Sequence, residues 1–458
     1  MNSSSTYHPL ADLMMSPRAN SAIVAIDDAS QDAVTWLQFT QDVASLTAFL
    51  QQRPEARWAV CFADSYHFAV ALMALAHSNK HIILPGNHQP AALAALADKF
   101  DALLHDAEVD AIAGLPSVTL PLANADATDI TFRSLPLSQC PVTLFTSGSS
   151  GTPKAIEKTL AGIAAELDVL EQVWGEKITD SHIVSTVSHQ HIYGLLFRLL
   201  WPLCSGRSFS RFDLIYPEQV VAHASANITL ISSPALLKRL TGMVSEQSFR
   251  HIFSSGGPLP HPAALQSQAL FSCLPTEVFG STETGGIGYR QQQQPTTPWQ
   301  LFPCHQVELN AEQCLRIQSP FIDGIDWYQT SDQCDLLPER QFMLKGRADR
   351  VVKIEEKRIS LVEVEQRLTE LEWIDEAAVL PLDEGHRLIL GAVITLTAAG
   401  EAQLTAQGKG KLWLAIRQQL RQWLEPVGIP RRYRAVDEIP LNSQGKRQFQ
   451  ALVDLFAE

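Results

Sequence analysis

The 458-residue sequence has no long uninterrupted apolar run. Its best candidate, Ile192 to Cys204, falls short of the roughly 18 residues a membrane helix needs and carries Arg198. No membrane span is expected. The opening stretch, Met1 to Asp12, is polar and lacks the basic start and apolar core of a signal peptide, so a cytoplasmic protein is expected. Cysteine is sparse: Cys61, Cys140, Cys204, Cys273, Cys304, Cys314 and Cys334 are odd in number and never two residues apart. That pattern argues against a disulfide framework or a zinc cage and fits a reducing compartment. Basic charge is in deficit, with 35 Lys and Arg against 49 Asp and Glu for a net charge of −14. Nucleic acid is therefore a poor partner, because its affinity comes from arrayed cations that displace counterions. The deficit is uneven: from Asp349 onward there are 15 basic and 17 acidic residues, which leaves 20 and 32 before it.

Disorder is excluded too, since hydrophobic residues make up 46% of the chain and charged ones 18%. The one biased tract, Gln291 to Gln294 followed by Pro295 and Pro298, reads as an exposed loop. Up to about Arg347, short apolar runs alternate with helical patterns: Trp58 to Phe62 (strand), Tyr66 to Ala76 (helix), His81 to Leu84 (strand), Ala91 to Ala97 (helix). Further strands are expected at Val142 to Phe145, Ser181 to Val187, Ile228 to Ser232 and His251 to Phe253. This alternation predicts an α/β fold, with a large layered N-terminal domain over residues 1–348 and mainly parallel sheets. A small α+β domain over residues 349–458 follows. Ser360 and Glu363 form a capping-box pair ahead of a helix, then come strands at Glu376 to Leu382 and Leu388 to Leu396, and a helix from about Leu412 to Leu424 that Pro426 stops.

The sharpest chemical signal is Thr146-Ser147-Gly148-Ser149-Ser150-Gly151-Thr152-Pro153-Lys154, directly after the strand at Val142 to Phe145. Glycines let backbone N–H groups converge on an anion, hydroxyls add donors and lysine adds a mobile positive charge, which together can hold phosphate oxygens. It is not a Walker A loop, because Pro153 separates glycine from lysine and Ala155 follows.

This segment resembles the phosphate-binding signature of adenylate-forming enzymes: acyl- and aryl-CoA synthetases, peptide-synthetase adenylation domains and luciferases. Further matches follow in the family's order. Phe279-Gly280-Ser281-Thr282-Glu283 resembles the aromatic-Gly-x-Thr-Glu element, which implies that Phe279 and Gly280 line the adenine site, that Thr282 belongs to the catalytic turn and that Glu283 binds Mg2+. Upstream, Gly256 and Gly257 in Ser255-Gly256-Gly257-Pro258 are similar to the glycine turn beside the adenine and acyl pockets. Tyr328-Gln329-Thr330-Ser331-Asp332 resembles the ribose-binding element, with Ser331 where glycine is usual and Asp332 as the ribose acceptor. Gly346-Arg347-Ala348-Asp349 matches the interdomain linker, so Arg347 is implied to meet the nucleotide and Asp349 to be the hinge of a mobile small domain. Pro440 to Lys446 resembles the C-terminal signature, which makes Lys446 the implied adenylation lysine. His191 aligns with a family histidine beside the acyl pocket, with Ser188 in place of a usual proline; a structural imidazole is the competing reading. Tyr193, Phe253 and Gly256 are the other pocket candidates.

The resemblance spans about residues 140 to 450. It implies ATP and Mg2+ as cofactors, an aryl or fatty acid as substrate, and the phosphopantetheine thiol of CoA or an acyl carrier protein as acceptor. The short chain and the segment Lys353-Ile354-Glu355-Glu356-Lys357-Arg358 are similar to stand-alone ligases of fatty-acid-like or aryl-polyene pathways. One departure bears on the thioester half-reaction, Glu356 where glycine is usual; Leu361 where proline is usual is a mild change at the first helical position. Arg350, Lys353, Lys357, Arg358, Arg431, Arg432, Arg434 and Arg447 either steer an acidic carrier protein or form solvated faces. Two alternatives from other classes are a non-catalytic nucleotide- or acyl-adenylate-binding protein, motivated by Ser331 and Glu356, and a Ser-Ser-Lys amidase, motivated by Ser149 and Ser150.

Overall fold

The computed structural model describes residues 6–86, 89–106, 114–122, 130–147, 153–324, 326–354, 357–385, 387–441 and 447–457. The chain forms two compact units. The first comprises Met1–Ser147, Pro153–Gln306 and Gln318–Tyr328, and the second Val307–Ile317 and Gln329–Glu458.

In the first unit, one sheet runs in the order Ser117–Thr119, Ala102–His105, Arg57–Cys61, His81–Leu84, Pro141–Ser147, Pro153–Thr159. All neighbours are parallel except the last pair. Its central strands are apolar and buried along their length, as sheets covered on both faces require. The helix Ser65–His77 follows its strand because Asp64 accepts a hydrogen bond from the Tyr66 N–H at 2.8 Å, capping the first turn. A second sheet orders Trp299–Leu301, Gly285–Gln291, Thr276–Ser281, His251–Ser254, Ile228–Ser232, His182–Ser185, Phe209–Ser210, Ile23–Ile26 and Ala33–Thr35. From Thr276–Ser281 to Ile23–Ile26 the neighbours are parallel. Both sheets are thus mainly parallel with antiparallel edges, as expected.

The apolar run from Ile192 is a core helix. It continues as Leu195–Leu200, a π-helical turn, and Trp201–Ser205, and every residue from Gly194 to Ser205 is buried. Arg198 is fully buried there. It is ion-paired with Asp213 and donates to the Val187 carbonyl at 3.0 Å, which is how a charge enters an otherwise apolar helix. Among the described residues, no helix is long and apolar enough to cross a membrane. All seven cysteines are free.

In the second unit, Tyr328–Leu337 and Gln341–Arg347 pair antiparallel, and Val351–Ile354 pairs with Lys357–Ser360. A three-stranded sheet, Ile374–Asp383, Leu388–Leu396 and Arg432–Ala435, packs with the helices Leu361–Thr369 and Lys409–Leu420 around Val364, Leu368, Leu390, Ile394, Leu412 and Ile416. Ser360 accepts from the Glu363 N–H at 3.3 Å, so the cap forms where it was expected. Residues 307–317 and 329–347 group with the C-terminal residues, and 332–337 pair with 341–347 within that unit.

Two expectations are corrected. Gln291 ends a strand and Gln292 is buried, donating to the Leu259 carbonyl at 3.0 Å and to Glu277 at 2.7 Å, so the glutamine tract is only partly a loop. Phe253, read as a pocket candidate, is fully buried with its ring 5.0 Å from Trp174 and 5.2 Å from Phe197; it is core.

Candidate active site

The phosphate-loop sequence joins two antiparallel strands of the first unit, in register Thr146 to Lys154 and Ser147 to Pro153. Gly148, Ser149, Ser150, Gly151 and Thr152 lie outside the described residues. At the loop's far end, Lys154 Nζ donates to Glu283 Oε1 at 2.6 Å, which joins two motifs 129 residues apart. Burial alone would push the Glu283 carboxyl up, but the hydrogen bond and charge of Lys154 hold it below the usual range; the same bond raises Lys154. Glu283 is therefore an anion, facing a cation on the strand that leaves the loop.

Glu283 sits on a tight turn between the antiparallel strands Thr276–Ser281 and Gly285–Gln291. The two backbones approach so closely that a Cβ on Gly280 would lie 2.2 Å from the Gly285 carbonyl oxygen, hence the glycine. Thr282 is buried, and Thr284 closes the turn by accepting from the Ser281 N–H at 3.1 Å. Phe279 lies partly exposed, its ring 5.6 Å from that of Trp299. The Gly256-Gly257 turn is tied to this strand by Ser255, whose hydroxyl donates to the Val278 carbonyl at 2.8 Å. Gly256 has φ +92°, which a side chain would strain.

His191 precedes the core helix, and its carbonyl accepts from the Leu195 N–H at 2.8 Å. A Cβ on Gly86 (φ +73°) would lie 2.6 Å from the Phe145 carbonyl oxygen and 3.4 Å from the His191 ring, so His191 stands at the end of the strand that leads into the phosphate loop. Its neighbour His189 is the structural histidine: Nε2 donates to the Phe62 carbonyl at 2.9 Å and the ring packs on Phe68.

In the second unit, Asp332 and Arg347 face each other across paired strands, Oδ1 3.5 Å from the guanidinium. Thr330 Oγ1 accepts from the Asp332 N–H at 3.1 Å and donates to the Leu315 carbonyl at 2.9 Å, so the ribose-binding element keeps its aspartate in place with Ser331 in it. Asp349 belongs to the turn Ala348–Arg350. Lys446 and Glu356 lie outside the described residues. The suggested cationic face is largely spent internally. Arg350 pairs with Glu365, as does Arg447 at 2.8 Å, Lys357 pairs with Glu425 at 3.1 Å, and Arg432 and Arg434 donate to the carbonyls of Phe456 and Leu455.

Two buried charges were missed. Lys158 Nζ donates to the Glu283 carbonyl at 3.1 Å and the Phe321 carbonyl at 2.9 Å, and Glu166 Oε1 accepts from the Gly286 N–H at 2.7 Å. Burial lowers Lys158 and raises Glu166 to about 7. A signal existed: Lys158 takes an inward position of an alternating strand, two residues after buried Ile156.

No group of three or more His, Cys, Asp or Glu side chains among the described residues is arranged to hold a metal ion. One carboxylate, Glu283, suits Mg2+, which keeps several waters and takes substrate phosphate oxygens alongside one or two protein ligands.

With this geometry in view, the comparisons define the class. The AMP-binding enzyme family model matches residues 16–313, and the chain belongs to that family. It is a ligase of the ATP-dependent, adenylate-forming kind, which activates a carboxylic acid and passes it to a thiol, with ATP and Mg2+ as cofactors. The chain is 26% identical over 356 residues to the D-alanine–D-alanyl carrier protein ligase of Staphylococcus aureus (strain bovine RF122 / ET3-1), covering 66% of this chain and 69% of that ligase. It is 27% identical over 304 residues to the 4-coumarate–CoA ligase of Rhodobacter capsulatus, covering 66% of this chain and 73% of that enzyme. In fold it is similar to ATP-bound MatB from Rhodopseudomonas palustris (TM-score 0.81, 16% identity, 98% of each chain). It is also similar to the o-succinylbenzoate CoA synthetase of Bacillus subtilis (TM-score 0.76, 16% identity, 98% of each chain).

Proposed function

We propose that this chain adenylates an aryl or fatty acid at the junction of the phosphate loop and the Glu283 turn, in the cytoplasm, and hands the acyl group to the thiol of CoA or an acyl carrier protein. The observation that carries the reading is the Lys154–Glu283 pair, which gives an anchored carboxylate beside a phosphate-loop cation.

A carboxylate resists thiols because its charge repels the nucleophile and oxide is a poor leaving group. In the first step a carboxylate oxygen attacks the α-phosphorus of ATP, the bond to the bridging oxygen breaks, and pyrophosphate departs. Glu283 would hold Mg2+, which when bound would supply charge neutralisation at the phosphate oxygens. Lys154 and the N–H groups of residues 148–152 hold the departing pyrophosphate, and Lys446 bridges the carboxylate and the α-phosphate as negative charge develops. Thr282 shapes the turn beside the phosphates. Phe279, Gly280, Gly256 and Gly257 receive the adenine, Asp332 accepts from the ribose hydroxyls, Arg347 meets the nucleotide, and His191 flanks the acyl group. In the second step the domain 349–458 rotates about Asp349, the thiol sulfur attacks the acyl carbon, its proton leaves to solvent, and AMP departs. Both acceptors stay within the reading, because three of the eight cations that would favour an acidic carrier, Arg350, Lys357 and Arg447, are ion-paired within their own unit.

The test is acid-dependent ATP–pyrophosphate exchange over a panel of aryl and fatty acids, beside Lys446→Ala. Exchange with one acid class, lowered at least a hundredfold in the variant, is the expected result; CoA and carrier protein added to the loaded enzyme then separate the acceptors. ATP binding with no exchange for any acid would favour the non-catalytic reading.

A further inference from the structure

Three charged side chains that meet the Glu283 turn come from one stretch of chain. The strand Pro153–Thr159 leaves the phosphate loop and runs directly into the helix Leu160–Trp174, and Thr159 caps that helix. From this stretch Lys154 meets the Glu283 side chain, Lys158 the Glu283 carbonyl, and Glu166 the Gly286 N–H. Lys158 and Glu166 are almost wholly buried, at 6% and 3% exposure. A Cβ on Gly285 would lie 2.4 Å from Glu166 Oε2 and one on Gly286 3.1 Å from Oε1, so the carboxylate fills the space against the turn. The grip is itself anchored: Asp323 accepts from the Thr159 N–H and hydroxyl, both at 2.7 Å, while Lys158 reaches the Phe321 carbonyl two residues earlier.

We infer that Lys158 and Glu166 are positioning residues for Glu283: they hold its own carbonyl and the N–H three residues after it, so that its carboxylate keeps a fixed place relative to the strand that leaves the phosphate loop. The inference rests on the reading of Glu283 as the Mg2+ ligand. Neither side chain touches the reacting atoms. Two buried charges are a costly way to fill a core, and an apolar pair of similar volume would pack as well. What an apolar pair cannot do is bind the carbonyl of Glu283 and the N–H of Gly286, the two ends of the turn's exit. Mg2+ demands near-octahedral geometry, and a displacement of about 1 Å at a positioned group can cost on the order of a hundredfold in rate.

The test measures binding of ATP by calorimetry on the full chain, once with EDTA and once across a Mg2+ titration, for the wild type and Lys158→Met. The expected result is a rise of tenfold or more in the Mg2+ concentration that gives half-maximal tightening, with ATP affinity in EDTA changed less than twofold. A folded variant with wild-type Mg2+ dependence overturns the inference and leaves the Glu283 reading standing. Equal weakening with and without Mg2+ also overturns it, since that is what a merely structural role produces. If the wild type itself shows no Mg2+ dependence, the Glu283 reading falls and the inference with it. Should Lys158→Met not fold, Lys158→Met/Glu166→Gln leaves no lone buried charge and carries the same measurement with the same expected shift.

Discussion

Two opposite-charge constellations serve the nucleotide in this reading, and they are built differently. At the Glu283 turn the supporting charges are buried, each bonded to main chain, and drawn from one continuous strand-and-helix stretch. At Asp332 and Arg347 the charges sit on neighbouring strands 3.5 Å apart, and Arg347 is half exposed. The first arrangement couples charge to backbone geometry and so to folding. The second couples charge to solvent, where an ion pair is worth little and exchanges readily for a ligand. A metal ligand gains from the first kind of support and a nucleotide contact from the second.

Gly280→Ala breaks the buried region most directly. Its new Cβ would meet a backbone oxygen that cannot step aside, so a loss of about 3 kcal/mol is expected from overpacking against main chain. Chemical denaturation of the two proteins checks it; a midpoint change under one-fifth of the wild-type value would mean the turn relaxes freely. Lys158→Met comes next. It leaves two carbonyls without a donor and takes away the nearby cation that holds the Glu166 carboxyl down, for an expected cost of about 3 kcal/mol, part of which Lys158→Met/Glu166→Gln should restore.

The pH dependence sharpens the same contrast with a smaller effect. Glu166 is raised by burial to about 7 in the folded state, above its ordinary value of 4.5. A carboxyl raised in this way favours folding while protonated: its contribution is full below the unfolded value and is lost as pH rises through about 7. Stability should therefore fall across that window, and Glu166→Gln should flatten the slope. Denaturation midpoints taken at half-unit steps from pH 4.5 to 7.5 decide it, and identical slopes in the two proteins would remove Glu166 from the titration.

Much of this molecule was legible in the sequence. The strands at His81–Leu84, Ile228–Ser232 and Leu388–Leu396 lie where apolar runs bounded by turn residues placed them, and Ser360 caps the helix that its pairing with Glu363 announced. Such elements are readable because their cause is local. The strand Pro153–Thr159 was not foreseen: Lys154, Glu157 and Lys158 mask its alternation, and its partner is the strand on the other side of the phosphate loop. Gln292 and Lys158 were missed for a related reason. Their partners lie 15 to 163 residues away, and although the alternation places Lys158 inward, nothing near it or Gln292 in sequence names the group that satisfies it in the core. The motifs named the groups proposed to touch nucleotide; Lys158 and Glu166, which bond main chain beside Glu283, belong to no motif.

The smallest stability effect belongs to the exposed region. Arg347→Ala removes a guanidinium that is half in water and 3.5 Å from Asp332, on a strand whose ladder to Tyr328–Leu337 does not depend on that side chain. The expected change in stability is within about 0.5 kcal/mol, the ordinary range for an exposed pair. Nucleotide affinity should respond far more, because Arg347 is proposed to bond the nucleotide directly and charge-assisted bonds to a ligand are among the stronger ones. Paired measurements of denaturation midpoint and ATP dissociation constant on this one variant set the two effects side by side. If Arg347→Ala destabilises as much as Lys158→Met, the contrast between a folded-in support and a solvent-coupled contact is wrong. If it weakens ATP several-fold at unchanged stability, the two regions divide the work as their burial suggests: one fixes the metal-bearing carboxylate during folding, and the other spends its charge when the nucleotide arrives.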